Sequence, residues 1–213
     1  MFKIPIVDLR AQYSQLRDDV RRAVDEVSES QQFILGPAVK NFEERMAAYL
    51  GCGFAVGVAS GSDALLLALM ALDLGAGDAV VTTPFTFFST VSSITRLGAK
   101  PLFVDIEPDN YLISTQNLRD FLRARGQVGA TGTVDRKTGL RLKALLPVHL
   151  FGQCCAMEEL TELAKEYRLR IVEDVAQACG ARMAIGGIDK FAGAIGDLGC
   201  FSFFPSKNLG AFG

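Results

Sequence analysis

The sequence predicts an α/β fold in which a mainly parallel sheet is flanked by helices. From about residue 55 onward, short apolar stretches alternate with segments in which apolar residues recur at helical spacing. Short, continuously apolar stretches are typical of strands buried on both faces, the usual situation in a parallel sheet. Helical segments between them supply the crossover connections that parallel strands require.

Two helical segments precede this alternation. Gln12–Ser30 carries apolar residues at helical spacing, and Val39–Leu50 resumes the pattern until Gly51. Between them, Phe33–Pro37 contains the Gly-Pro pair that ends a helix. We include this helical part, about residues 10–50, in the same domain as the rest of the chain.

The alternating part predicts the remaining elements. The predicted strands are Ala55–Val58, Ala79–Thr82, Pro101–Val104, Ala144–His149 and Arg170–Glu173. The predicted helices are Ser62–Leu72, Ser89–Arg96, Thr115–Arg125 and Met157–Tyr167. The stretch Gly126–Arg141 is rich in Gly and Thr and poor in apolar residues, so it is expected to be an exposed loop.

Composition excludes several classes of function. The 213 residues carry a net charge of -2 with acidic and basic residues interspersed, which argues against a nucleic-acid groove. One histidine excludes a metal site built on histidines, and five cysteines without zinc spacing predict reduced thiols in a cytoplasmic protein. Met1–Arg10 lacks the apolar run of a signal peptide, and the longest apolar stretch, Ala64–Leu72, is too short to span a membrane.

The segment Ser60–Leu65 follows a predicted strand and opens a helix. Gly61 lets the backbone approach a ligand, and the free N–H groups of a first helical turn can hold an anion such as phosphate. A plain helix cap is the competing interpretation, because Ser and Asp are favoured there whatever the function.

Asp174 lies just past the predicted strand Arg170–Glu173, at the edge where α/β sheets bind ligands. Its carboxylate could hold a positively charged ring nitrogen, since an opposite charge favours the ionised form. The alternative is a cap or a surface acid. Strand alternation directs Glu173 to the other side, and we assign it no role.

Lys207 lies between an aromatic stretch, Phe201–Phe204, and the glycine-containing end of the chain. A lysine amine near other cations or apolar groups can lose its proton and attack a carbonyl. A surface lysine in a turn is the commoner reason for such a residue.

Two further features have both a functional and a structural interpretation. The stretch Pro84–Phe88 follows a strand, and an aromatic there could stack on a planar cofactor, although core packing is commoner. His149 falls at a strand end, and we favour a hydrogen-bonded structural histidine over a catalytic base.

Together these residues form the set that pyridoxal phosphate needs. The cofactor requires a lysine for its Schiff base, a partner for its pyridine nitrogen and a site for its phosphate. Lys207, Asp174 and the helix start at Gly61 supply these in turn. The aspartate would keep the ring protonated, so that the ring withdraws electrons from the substrate.

The sequence resembles the DegT/DnrJ/EryC1/StrS family of sugar aminotransferases, which have the aspartate aminotransferase fold. The resemblance runs nearly end to end and rests on the segments IPIVDLRAQY, FILGP, ASGSDALLLAL, TTPFTFFST, GAKPLFVDIEPDNY, PVHLFGQ, VEDVAQACGA and FSFFPSKNLGAFG.

The resemblance implies roles for individual residues. Lys207 would form the Schiff base and move the proton, Asp174 would pair with the pyridine nitrogen, and Gln177 would contact the ring or its hydroxyl. Phe87 would stack on the ring face. The phosphate would be bound by the backbone N–H groups of Ser62 and Asp63 and by the hydroxyl of Ser202. The segment Phe33 to Gly36 would lie near the sugar.

The resemblance also implies substrates and assembly. The expected reaction transfers an amino group, with glutamate as donor, to a nucleotide-linked keto-sugar in a homodimeric enzyme. Family members continue beyond the lysine segment into a small C-terminal domain, whereas this sequence stops at Gly213. Residues 1–213 would therefore be an incomplete cofactor-binding large domain.

Two other functions stay open at this point. Some relatives use the same cofactor for sugar dehydration, but they have a histidine at the position of Lys207. A non-catalytic regulator or an inert fragment is the third alternative, against which the intact set Asp174, Gln177 and Lys207 argues.

Overall fold

The computed structural model describes residues 4–211. Residues 1–3, at the start of Met1–Arg10, lie outside that range. So do residues 212–213, the last two of FSFFPSKNLGAFG, the segment that contains Lys207 and is called the lysine segment below. The helices are α1 Leu9–Ser30, α2 Pro37–Leu50, α3 Gly61–Ala71, α4 Phe88–Arg96, α5 Thr115–Arg125 and α6 Met157–Glu166. The strands are β1 Asp78–Thr82, β2 Lys100–Phe103, β3 Gly126–Gly129, β4 Gly132–Asp135, β5 Arg141–Leu145, β6 Arg170–Asp174, β7 Arg182–Ile185, β8 Ile188–Phe191 and β9 Leu198–Cys200.

The main sheet is largely parallel, as predicted. Strands β2, β1, β5, β6 and β9 lie side by side in that order, and each neighbouring pair is parallel. Strand β1 has a neighbour on each side, with Val81 opposite Leu102 of β2 and opposite Leu145 of β5. Parallel strands direct their carboxyl ends to the same edge, so the residues that follow β1, β5, β6 and β9 meet there.

The core forms between this sheet and four helices. All five residues of β1 are buried. Helices α3, α4, α5 and α6 contribute side chains to the same apolar cluster, among them Leu69, Ile94, Leu118 and Leu160, none of which has any exposed surface. Burying such side chains contributes about 1.5–3 kcal/mol each relative to exposure, so packing against the sheet stabilises each helix.

Local sequence signals set the helix boundaries. Helix α5 has the predicted bounds because Ser114, its N-cap, accepts a hydrogen bond from the backbone N–H of Asn117. Helix α1 ends where Gln31 adopts a left-handed conformation, and α2 begins with Pro37 at its first position. The predicted break between the two helices is therefore confirmed.

The predicted strand Ala55–Val58 is wrong. The backbone there pairs with no strand in the described part of the chain, and Phe54 and Val56 are 92% and 77% exposed. The backbone N–H of Gly57 donates instead to a side chain, Oε1 of Glu43, at 2.7 Å. A strand needs a neighbour for its N–H and C=O groups, and an apolar sequence alone cannot supply one.

The prediction that Gly126–Arg141 is a loop is wrong, although most of its residues are exposed, as expected. Strands β3 and β4 form an antiparallel hairpin there, and β4 pairs with the first half of β5. Thr133 and Asp135 are buried, and Arg125 holds Asp135 through two hydrogen bonds of 2.6 and 2.8 Å. Backbone pairing with β5 joins the hairpin to the sheet, and the Arg125–Asp135 bonds fix it to α5, so low apolar content did not mean irregular backbone.

Residues 4–211 contain neither a membrane-spanning helix nor a metal-binding cluster of side chains. No helix there is long and apolar enough to cross a membrane. No cluster of three or more His, Cys, Asp or Glu side chains in that range could hold a metal ion. All five cysteines are free thiols.

Candidate functional site

The candidate site lies at the carboxyl edge of the main sheet. Strand β6 ends at Asp174, and β9 ends at Cys200, just before Ser202 and the lysine segment. The two strands pair in parallel, with Asp174 opposite Cys200. The strand that precedes Lys207 is thus β9, and the aromatic stretch Phe201–Phe204 follows it as irregular backbone rather than as a strand.

Asp174 is the buried acid of this edge. It is 5% exposed, and each of its carboxylate oxygens has a donor. The hydroxyl of Thr90 donates to Oδ2 at 2.8 Å, and the backbone N–H of Ala176 donates to Oδ1 at 3.2 Å. The alternative of a surface acid is therefore wrong, because the side chain is enclosed and held in one orientation.

Two opposing effects act on the ionisation of Asp174. Burial raises the pKa of Asp174 above its ordinary value because the ionised form loses hydration. The hydrogen bonds from Thr90 and Ala176 lower it, and so does the positive charge of Lys207. Lys207 follows β9, the strand that pairs with the end of β6 at Asp174, so the two predicted residues belong to the same edge of the sheet.

The start of α3 lies directly against Ser202. A Cβ on Gly61 would lie 2.7 Å from Cβ of Ser202 and 3.2 Å from the carbonyl oxygen of Phe201. Real Cβ atoms do not approach that closely, so only glycine fits at this position. The close approach joins the helix start and Ser202 into one cradle, as expected for a phosphate site.

Not every backbone donor of this helix start is free. Ser60 is the N-cap, and its Oγ accepts from the N–H of Asp63 at 3.1 Å. The backbone N–H groups of Gly61 and Ser62 have no acceptor among residues 4–211. The available donors are therefore the N–H groups of Gly61 and Ser62, whereas the N–H of Asp63 already donates to the Ser60 cap.

A second helix start meets the first. The hydroxyls of Ser62 and Ser89 lie 2.5 Å apart, and Ser89 belongs to the first turn of α4. Helix α4 has no side-chain cap at its N-terminus. Two helix N-termini thus converge beside the cradle, and both favour an anion. Ser89 was missed in the sequence, where the only signal was its place shortly after a buried strand.

Phe87, like its neighbour Phe88, is an exposed aromatic at this edge. Its side chain is 72% exposed, and it occupies the N-cap position of α4. Its neighbour Phe85 stacks instead on Tyr111, with ring centroids 5.4 Å apart. Core packing is therefore excluded as the reason for Phe87, whose exposed ring could take a planar partner.

Gln177 is joined to a strained turn. Its Oε1 accepts from the backbone N–H of Phe151 at 3.4 Å, and its carbonyl accepts from the N–H of Gly152 at 2.9 Å. Phe151 has a φ of 56°, which is rare for a bulky residue and costs roughly 1–3 kcal/mol. Gln177 thus links the loop after β6 to the loop that follows β5.

His149 and Glu173 form a buried pair next to Asp174. The backbone N–H of Cys155 donates to Nδ1 of His149 at 2.9 Å, so the ring proton is on Nε2, which donates to Glu173 at 3.0 Å. The preference for a structural histidine agrees with this geometry. The absence of a role for Glu173 is wrong: its carboxylate also accepts from the N–H groups of Gly193, Ile195 and Gly196.

This network affects ionisation as well. Burial acts to raise the pKa of Glu173, but the hydrogen bonds from His149 and the backbone outweigh it, so the pKa lies below its ordinary value. Alternation had correctly directed Glu173 away from Asp174. It did not show that the other side holds a loop whose N–H groups need an acceptor.

Phe33 and Gly36 lie apart from these residues. Both belong to the connection between α1 and α2, where Phe33 is 58% exposed and Gly36 is the N-cap of α2. Within residues 4–211, no hydrogen bond or ring contact joins them to Asp174 or Lys207. Helix α2 itself reaches the lysine segment, through an edge-on contact of Phe42 with Phe203 at 5.2 Å.

Comparison with known proteins identifies the family. The model of the DegT/DnrJ/EryC1/StrS aminotransferase family matches residues 14–213. The chain belongs to this family. A pleiotropic regulatory protein of Geobacillus stearothermophilus is 44% identical over 210 residues, and the UDP-N-acetyl-3-dehydro-alpha-D-glucosamine 3-aminotransferase of Acidithiobacillus ferrooxidans is 40% identical over 210 residues. Each alignment covers 99% of this chain, and 51% and 52% of the relative.

A solved family structure agrees with the fold. S. venezuelae DesV, in complex with a ketimine intermediate, superposes with a TM-score of 0.86 and 38% identity over 100% of this chain and 52% of its own. The chain therefore spans about half the length of the relatives it matches. The predictions of family and fold class are confirmed.

Proposed function

We propose that the protein is a pyridoxal-phosphate-dependent aminotransferase that converts a nucleotide-linked keto-sugar into an amino-sugar. The observation that carries the proposal is that buried Asp174, the Gly61–Ser202 cradle and the strand that leads to Lys207 share one sheet edge. Membership of an aminotransferase family supports it, as does the sugar-nucleotide substrate in the name of the Acidithiobacillus relative.

The residues present fit the cofactor. The free N–H groups of Gly61 and Ser62, with the hydroxyl of Ser202, suit a phosphate at a helix start where any Cβ would clash. Asp174 suits a protonated pyridine nitrogen, and exposed Phe87 suits the ring face. When bound, pyridoxal phosphate supplies an aldehyde that forms a Schiff base with a primary amine, and a ring that withdraws electrons.

Each side chain then has a definite task. The Asp174 carboxylate holds the proton of the ring nitrogen by charge, and its two other hydrogen bonds fix its direction. The Lys207 amine would hold the cofactor through its aldehyde and, when free, would accept and return a proton of the substrate. Gln177 and Phe87 would orient the ring, and Phe87 would exclude water from the ring that it covers.

The proposal includes the whole protein's partners. Glutamate is the proposed amino donor, and the enzyme is a cytoplasmic homodimer. Residues 1–213, with the helical part at about 10–50, form its cofactor-binding large domain. Phe33 and Gly36 are proposed to approach the sugar, since Phe33 is an exposed aromatic in the loop before α2.

A regulatory role is the second candidate, because the Geobacillus relative is named a pleiotropic regulatory protein. The retained set of Lys207, Asp174 and Gln177 favours catalysis, since a purely regulatory protein does not need a primary amine beside a buried acid. A dehydratase is not favoured, because lysine rather than histidine occupies position 207.

One experiment tests the proposed function directly. The protein, expressed from its complete gene, is loaded with pyridoxal phosphate, reduced with borohydride and mapped by peptide mass spectrometry. We expect the label on Lys207, and amino-sugar formation from a UDP-linked 3-keto-sugar and glutamate. Lys207→Ala should remove the label and lower turnover by at least ~10²–10⁴-fold, whereas the exposed control Lys165→Ala should change neither.

A label on Lys165 or Lys190 would contradict the assignment of Lys207. A correctly labelled protein that aminates no nucleotide-linked sugar would support the regulatory candidate instead.

A further inference from the structure

We propose that Thr90, with Thr86 behind it, is a positioning residue: the two hydroxyls form an ordered hydrogen-bond chain that keeps Asp174 a hydrogen-bond acceptor for the cofactor's ring nitrogen. The proposal rests on the proposed function, because it assigns a task in the binding of that cofactor. Neither threonine was singled out in the sequence.

The geometry defines the chain. The hydroxyl of Thr90 lies 2.8 Å from Oδ2 of Asp174 and 2.7 Å from the hydroxyl of Thr86. Thr90 has no exposed surface. Water therefore cannot replace either partner at Thr90.

Chemistry fixes the direction of these bonds. An ionised carboxylate only accepts hydrogen bonds, so Thr90 donates its single hydroxyl proton to Asp174. The contact with Thr86 must then be one in which Thr86 donates and Thr90 accepts. In the direction Thr86 to Thr90 to Asp174, both hydroxyl protons point toward Oδ2, and this favours the ionised form of Asp174.

Helix α4 holds this chain in place. Thr90 lies in the first turn of α4, where its backbone N–H donates to the carbonyl of Phe87, and Thr86 lies just before the helix. The positive end of the helix dipole adds to the effect, because it favours a negative charge beside the first turn. A threonine at position 90 therefore contributes both a hydroxyl and a fixed direction.

The electrostatic balance shows why this matters. Burial raises the pKa of Asp174, and the hydrogen bond from Thr90 is the foremost influence that lowers it. The other titratable groups near Asp174 are Lys207, the thiol of Cys200 on β9, and the His149–Glu173 pair, which is internally bonded. If the Thr90 hydroxyl is removed, the balance shifts toward a protonated Asp174, which cannot hold a protonated ring nitrogen.

The competing interpretation is that Thr90 only packs α4 against β6. The two interpretations differ in what Thr90→Val does, since valine keeps the shape and removes the hydroxyl. Simple packing loss would lower stability without regard to the ring nitrogen or to pH. A positioning role predicts a loss that depends on both.

The test compares variants by cofactor affinity rather than turnover. Dissociation constants for pyridoxal phosphate, and for its 1-deaza analogue that lacks the ring nitrogen, are measured from pH 5 to 9 on the apo form of the complete protein. Thr90→Val should weaken pyridoxal phosphate by roughly 10-fold or more near neutral pH, as expected for a lost hydrogen bond to a charged group. The acid limb of binding should move to higher pH, and the deaza analogue should change little.

Matched variants make the test specific. Thr90→Ser should restore binding because it keeps the hydroxyl, and Thr86→Val should cause a smaller loss. Ser93→Ala is the control: its buried hydroxyl, one turn along α4, donates to the carbonyl of Thr90 at 3.0 Å and does not contact Asp174. If Thr90→Val does not fold, the comparison of Thr86→Val with Ser93→Ala tests the positioning role, by the same affinities and pH profiles.

The inference and the proposed function fail differently. Wild-type protein that binds no pyridoxal phosphate overturns both. The positioning role alone is overturned if wild-type protein binds pyridoxal phosphate and Thr90→Val keeps the same affinity and pH profile. It is also overturned if Thr90→Val weakens pyridoxal phosphate and its 1-deaza analogue equally.

Discussion

Glu173 holds the loop that leads into the lysine segment, and its removal should destabilise the protein strongly. The carboxylate has no exposed surface and accepts four hydrogen bonds, from Nε2 of His149 and from the N–H groups of Gly193, Ile195 and Gly196. Glu173→Ala leaves these four donors without an acceptor. No other protein group replaces the carboxylate.

The magnitude follows from known costs. A buried donor without a partner costs about 1–3 kcal/mol, but four neighbouring donors relax together and admit water, so their costs do not add. Hydrogen bonds to a charged acceptor such as this carboxylate contribute about 1.5–3 kcal/mol each, and losses above 4–5 kcal/mol are exceptional for a single substitution. We therefore expect Glu173→Ala to lower the free energy of unfolding by about 3–5 kcal/mol, or the Tm by roughly 6–20 °C for a chain of this size.

Urea denaturation followed by circular dichroism measures this change. Glu162→Gln, an exposed residue of α6, is the matched control and should stay within ~0.5 kcal/mol of wild type. Hydrogen exchange should also quicken at the N–H groups of Gly193, Ile195 and Gly196. An unfolding free energy within ~1 kcal/mol of wild type for Glu173→Ala would refute this account of the network.

The sign of the pH dependence follows from the lowered pKa of Glu173. Because the folded-state pKa lies below its ordinary value, the stabilisation is fully present above that ordinary value. It is lost as the pH falls from there through the folded-state pKa. The difference in stability between wild type and Glu173→Ala should therefore shrink under acid conditions.

Two other substitutions have clear outcomes. Gly61→Ala places a Cβ 2.7 Å from Cβ of Ser202, so it should lower the free energy of unfolding by about 1–3 kcal/mol and weaken pyridoxal phosphate binding. Urea denaturation and cofactor titration measure the two effects. Gly53→Ala is the control, because a Cβ at Gly53 lies in open space. Asp135→Asn removes the paired bonds to Arg125, which lower the pKa of Asp135 to about 2, so it should cost about 1–2 kcal/mol at pH 6. That cost should fade between about pH 4 and pH 2, and urea midpoints that differ equally at pH 6 and pH 2.5 would contradict the assignment.

The candidate site was partly readable from the sequence because some of its residues follow strands directly. Asp174 follows four apolar or charged strand residues, and the glycine at position 61 precedes a strong helix pattern. Such positions mark the carboxyl edge of a parallel sheet before any contact is known. The family resemblance added the roles of Phe87 and Gln177.

The supporting residues could not be found in this way. Thr90 is 84 positions from Asp174, and Ser89 is 27 positions from Ser62. Thr and Ser in the first turn of a helix are common for local reasons, so nothing in the sequence distinguishes a threonine that contacts the buried acid. Only the packing of α4 against the sheet defines these pairs.

The sequence by itself determined the elements whose signals are local: the α1–α2 break at Gly36, the cap of α5 at Ser114, and the fully buried strand β1. Tertiary structure decided the rest, because a strand exists only where a neighbour accepts and donates its backbone hydrogen bonds. For that reason apolar Ala55–Val58 forms no strand, while the polar stretch that begins at Gly126 forms two. The same dependence on distant neighbours decided that Glu173, rather than an exposed acid, would hold the loop beside Asp174.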